Sequence, residues 1–70
     1  MDESLPESSA QRFSRLFRKA GVFLAKAQFD QALTVFREGE ALALAVDDKE
    51  KAVLFREEII RCENQLRGQQ

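Results

Sequence analysis

The residues of this chain that could do chemistry are few. Its one thiol, Cys62, has no histidine to activate it, because the 70 residues contain no His. The commonest general base is therefore missing, and so is any Cys–His nucleophile pair. Cys62 falls on an apolar helical face with Ala52, Phe55, Ile59 and Leu66, the place of a small core residue. The acidic pairs Glu57-Glu58 and Asp47-Asp48 read as solvated surface and as a helix cap. No Gly-rich phosphate loop and no Cys or His cluster for a metal is present. The expectation is a chain without enzymatic activity, cofactor, metal or small-molecule substrate.

What remains is charge and apolar patterning. The first helical stretch carries five basic residues and no acid after Glu7. Arg12, Arg15, Lys19 and Lys26 lie within about 60° of each other in helical projection. Two readings stay open. The stripe binds an acidic peptide or an anionic lipid surface. Alternatively, it pairs with acids across the bundle or faces water. The formal net charge of -1 argues against general binding to nucleic acid.

The elements that position these residues are helical. Hydrophobic residues make up 44% and charged residues 33%, so the composition is that of a folding chain. There is no Trp or Tyr, and Ala, Leu, Glu, Arg and Gln dominate. The length allows one domain with a small core. No apolar run approaches the roughly 20 residues of a membrane span, so a membrane protein is not expected. The acidic start, Met1-Asp2-Glu3, lacks the features of a signal peptide. With the lone Cys62, this points to a reducing, cytoplasmic setting.

Residues 1–7 read as a frayed acidic leader, 8–67 as one three-helix domain and 68–70 as a frayed tail. Ser4-x-x-Glu7 and Ser8-x-x-Gln11 both fit a capping box. The first helix is expected over 8–27, with Phe13, Leu16, Phe17, Ala20, Phe23, Leu24 and Ala27 on one arc. Lys26-Ala27-Gln28 is a short connection between antiparallel neighbours. The second helix is expected over 29–46. Its stripes are Phe29, Ala32, Leu33, Phe36, Ala43 and Leu44 beside Val35, Leu42 and Val46. Together they cover more than half the circumference, which predicts the middle helix. Glu40 falls inside that arc and reads either as a boundary residue reaching an Arg or as a polar contact to a partner. The third helix is expected over 48–67, with Asp47-x-x-Glu50 as its capping box and Gly68 as its stop. Glu57–Arg61 and Glu63–Arg67 are its expected surface pairs.

One stretch binds these elements together. Ala20, Phe23, Ala27, Phe29, Ala32, Phe36 and Gly39 alternate small and aromatic residues at helical steps, broken only between Ala27 and Phe29. Small residues let helices approach and aromatics fill the space beside them. Gly39 costs roughly 1 kcal/mol relative to Ala in a helix. That cost makes sense where another helix crosses closely.

This spacing resembles one tetratricopeptide repeat, with Leu16 at the family's Trp position and Leu44 where a Pro often ends the unit. The resemblance spans about residues 13 to 48, half the chain. It implies an all-α, three-helix antiparallel bundle: a helix–turn–helix plus a third, capping helix. By the same resemblance, Ser14, Phe17, Arg18, Gly21, Leu24 and Ala25 line a groove for a partner peptide or helix. Gly21-Val22 stands where some members carry an Asn that clamps a terminal carboxylate. The sequence is also similar to the microtubule-interacting-and-transport domain, whose third helix carries an Arg-Ala-Glu-x-Leu run. Here Arg61-Cys62-Glu63-Asn64-Gln65-Leu66 is one residue longer.

Both resemblances imply a protein-interaction module, a small adaptor or an assembly subunit. A peripheral membrane module using the basic first helix is the alternative. The third helix adds Val53, Ile60 and Leu54 off its core stripe. These predict self-association or a protein partner.

Overall fold

The computed structural model describes residues 7–68. They form an all-α, three-helix antiparallel bundle of α1 Ser9–Ala25, α2 Phe29–Ala45 and α3 Lys49–Gly68. The expected leader and tail, and the Ser4-x-x-Glu7 box, rest on residues outside this range. Gly68 belongs to α3 itself and keeps a negative φ, so it is no left-handed stop.

Local chemistry explains the ends. Ser8-x-x-Gln11 forms the capping box of α1. The Gln11 amide donates to Ser8 Oγ at 3.1 Å and the Ser8 amide donates to Gln11 Oε1 at 3.0 Å. The α1–α2 connector is residues 26–28, as the sequence predicts. Its bonds are Gln28 N–H to Phe23 C=O at 2.9 Å and Ala27 N–H to Leu24 C=O at 2.9 Å. The α2–α3 connector repeats them, with Asp48 to Ala43 at 2.8 Å and Asp47 to Leu44 at 3.2 Å. Both are Schellman closures, which need a left-handed residue after the cap.

Neither connector has a glycine there. Ala27 and Asp47 each take φ 58°. Ala pays the fuller penalty, roughly 1–2 kcal/mol, because Asp can bond locally in this conformation. Ala27→Gly is therefore expected to raise stability by about 0.5–1 kcal/mol, the gain trimmed by glycine's freer unfolded chain. Urea denaturation measures it, and no gain would mean that the turn is unstrained.

The third helix starts one residue later than the expected box. Asp47 is the left-handed turn residue, and Asp48 is the cap, its Oδ1 accepting from the Lys51 amide at 3.1 Å. The expected surface pairs also change. Arg61 pairs with Glu58 at 2.7 Å, Arg67 bonds Asn64, and Glu63 turns to Arg37 of α2 at 3.1 Å. Three-residue steps bring these tips together as well as four-residue ones do, and the α2 neighbour captures Glu63.

Packing puts α2 in the middle, as its broad apolar surface predicts. Ala20 and Ala32 are fully buried, consistent with close approach of α1 and α2. The backbones of α1 and α3 do not touch. They meet through rings laid across α2. Phe55 of α3 stacks on Phe17 of α1 at 4.5 Å and 11°, with Phe13 at 5.7 Å and Phe36 of α2 at 6.3 Å. The Phe55 ring occupies the space over Gly39, where a Cβ would stand 2.2 Å from it. Gly39 thus admits a ring from the crossing helix.

Two residues expected in the α2 core are outside it. Leu44 is 61% exposed and Val46 43% exposed. Val46 is the helix cap, and Leu44 sits on the flank that α3 leaves uncovered. Ala27, expected on the α1 apolar arc, is exposed in the turn.

Candidate functional site

Because the backbones of α1 and α3 stay apart, a furrow opens between them at two places on one side of α2. Phe17 and Leu24 are half-buried in it, while Ser14, Arg18, Gly21 and Ala25 are exposed. One end is lined by Phe13, Ser14, Phe17, Asp48 and Lys51. The other is lined by Leu24, Phe29, Glu58, Cys62 and Gln65. The Gly21 position is open, with nothing within 4 Å of a Cβ placed there. Of the α1 residues that the repeat resemblance assigns to a groove, Ser14, Phe17 and Leu24 line these two places, while Arg18 stands with Glu7, Gln11 and Arg15 on the outer face of α1.

The opposite lip was not foreseen. Lys51, Glu58 and Gln65 stand on α3 at seven-residue steps beside its core stripe, and that spacing was the available signal. Lys51 Nζ lies 5.8 Å from the centre of the Phe13 ring, within cation–π range.

The basic residues of α1 occupy another flank. Arg12, Arg15, Lys19 and Lys26 are all exposed. Arg15 pairs with Glu7 at 2.7 Å, beside the start of its own helix. Among the described residues, none of the four pairs with an acid of α2 or α3. Cross-bundle pairing belongs to other residues: Arg56 to Glu40 at 3.0 Å and Arg37 to Glu63. Glu40 is thus a boundary acid reaching an Arg. These partly exposed bridges are worth at most about 1 kcal/mol each.

Val53, Leu54 and Ile60 are exposed on α3, as their positions off the core stripe predict. Val53 and Leu54 line one surface hollow with Lys49 and Glu50, and Ile60 lies on the Val53 face two turns further along α3.

Cys62 is buried in the core cluster. Burial pushes its thiol above the ordinary value of 9.0, and the Glu58 carboxylate adds to the rise. A raised thiol pKa keeps the nucleophilic thiolate scarce. Native Cys62 is therefore expected to react with a thiol reagent roughly a hundredfold or more slowly than in the urea-unfolded chain. The sign for stability follows. The neutral thiol favours the folded state, so this contribution is complete below the unfolded pKa and is lost as pH rises through the folded one. Equal labelling rates in the native and unfolded chain would show that the thiol is accessible.

Among the described residues, no helix is long and apolar enough to cross a membrane, and no cluster of His, Cys, Asp or Glu could hold a metal. Compared with protein families, characterised proteins and solved structures, the chain matches none.

Proposed function

We propose that this chain is a non-catalytic protein-interaction module, tetratricopeptide-like in its helical hairpin, that receives a partner peptide or helix between α1 and α3. The carrying observation is the furrow itself. Half-buried Phe17 and Leu24 offer apolar anchoring, and the bare Gly21 position leaves room for an incoming chain. Lys51 on the α3 lip favours a partner with an acidic residue. The role is that of a small cytoplasmic adaptor or assembly subunit. The buried, unpaired Cys62 fits a reducing compartment.

Gly21→Arg tests this reading, because the new side chain fills the furrow and meets no protein atom at its base. Replacing a helical glycine is itself stabilising by about 0.5–1 kcal/mol, so lost binding would not be lost folding. Partners captured by the wild-type chain should be missing from the Gly21→Arg capture. An unchanged set would place the partner surface elsewhere.

A second reading rests on a different observation, the outward-facing Arg12, Lys19 and Lys26. They would hold α1 against an anionic lipid surface, each contributing about 1 kcal/mol near the membrane. Flotation with anionic vesicles that weakens in salt would favour it over the adaptor.

A further inference from the structure

Two exposed stripes of the bundle share one spacing. On α1, Arg12, Arg15, Lys19, Val22 and Lys26 follow at steps of three, four, three and four residues, which sets them in one line along the helix. On α3, Glu50, Val53, Glu57, Ile60 and Asn64 follow at the same steps. Every one of these residues is exposed, and Val22, Val53 and Ile60 are each half or more exposed. The two lines face apart within one molecule, because α1 and α3 turn Phe17 and Phe55 toward each other. Among the described residues, no acid of α2 or α3 pairs with Arg12, Lys19 or Lys26, and no cation pairs with Glu50 or Glu57. Both stripes therefore keep charge to offer.

The stripes match position by position. Helices laid parallel bring residues of equal heptad position together. With Val22 set on Ile60, Lys19 meets Glu57, Arg12 meets Glu50, Lys26 meets Asn64 and the stem of Arg15 covers Val53. Arg12 also enters the hollow lined by Lys49, Glu50, Val53 and Leu54. The cations of α3 stand clear of the match. Lys49 comes level with Gln11, Arg67 lies past the end of α1, and Arg56 and Arg61 are held by Glu40 and Glu58. Like pairings fail on charge. α1 against α1 sets cation on cation. α3 against α3 sets Glu57 on Glu57 when parallel, and on Val53 or Ile60 when antiparallel. α1 and α3 run in the same direction, both antiparallel to α2, so a parallel contact keeps successive copies in one orientation. We propose that the chain assembles head to tail, the basic stripe of α1 in one copy docking parallel on the α3 stripe of the next. Each added copy leaves one stripe of each kind free, so the contact repeats into a filament or closes as a ring. Phe17, Gly21 and Leu24 lie on neither stripe, so the furrow stays open and this inference is independent of it.

Sedimentation of the intact chain at rising concentration tests this, with each variant checked for unchanged circular dichroism. The wild-type mass should climb past the dimer and fall back in salt. Lys19→Glu and Glu57→Lys should each weaken association about tenfold or more. Placing both changes on one chain, or mixing the two single variants, should restore it, because opposite charges face each other again. Gly21→Arg should leave it unchanged. A monomer at every concentration overturns the proposal. So does a mass that stops at the dimer, which requires a two-fold contact. Association that survives both single variants, or that Gly21→Arg alone removes, places the contact elsewhere and overturns it too. The same holds for a loss that neither the double variant nor the mixture restores. Flotation of a monomeric chain on anionic vesicles, lost with Lys19→Glu and kept with Glu57→Lys, would give the α1 stripe to a lipid surface instead. Gly21→Arg reports on the furrow through captured partners, so the two readings fail separately.

Discussion

Phe55→Ala is expected to destabilise the fold by about 3–5 kcal/mol, the range for truncating a buried Phe. The loss is large here because one ring holds three helices. Phe55 is fully buried. It is the point where α3 meets α1, through Phe13 and Phe17, and where it rests on α2, through Gly39 and Phe36. Removing it opens a cavity at the point where Phe13, Phe17 and Phe36 converge. Stacking such as that with Phe17 adds about 0.5–1.5 kcal/mol beyond area burial. A chain of this size has roughly 4–10 kcal/mol of stability at ordinary per-residue values. Phe55→Ala should therefore leave a marginal fold with a sharply lower urea midpoint. Phe55→Leu, which fills part of the volume, should fall between the two. A midpoint for Phe55→Ala equal to wild type would mean that α3 is held by something other than this ring.

The second large effect is expected at Gly39. On propensity alone, Gly39→Ala should stabilise α2 by roughly 1 kcal/mol. Packing opposes it. The added Cβ would stand 2.2 to 2.5 Å from three atoms of the Phe55 ring. The ring cannot swing aside, since Phe13, Phe17 and Phe36 surround it. Overpacking of a dense core costs typically about 1–3 kcal/mol, occasionally more. The clash wins, and we expect a net loss of about 2 kcal/mol. Gly21 supplies the internal control. Nothing stands near its Cβ position, so Gly21→Ala should gain about 0.5–1 kcal/mol. Gly39→Ala with Phe55→Leu should cost clearly less than the two changes summed, because the smaller side chain releases the clash. Additive losses in that cycle would separate glycine from ring.

These effects also show what could be read one residue at a time. Gly39 stands out in the sequence as a costly residue in a helical stretch, and the inference of a close crossing was available. The identity of the crossing residue was not. Phe55 is one apolar residue among five on the α3 stripe, and periodicity ranks none of them. The same limit explains Leu44. The apolar surface of α2 covers more than half its circumference, so spacing could not say which margin α3 leaves bare. Spacing places Leu44 in the core, whereas the packed bundle leaves it 61% exposed.

Local physics is legible in the sequence because it acts over a few residues. Helix number, the first connector, the Ser8–Gln11 cap, the central place of α2 and most of the core follow from propensity, capping chemistry and a period near 3.6. The absence of histidine and the single cysteine determined the reactive inventory outright. The tertiary structure decided whatever depends on residues far apart in the chain. It set Glu63 against Arg37 and Arg56 against Glu40. It brought Ser14 of α1 beside Lys51 of α3 and Leu24 beside Glu58, although no backbone contact joins those helices. It turned the basic flank of α1 outward, beyond reach of the bundle's other acids among the described residues. Helical projection gives each side chain an angle about its own axis. The rotation of one helix against another is set by the fit of large and small side chains at the crossing, and here that fit is one ring over one glycine.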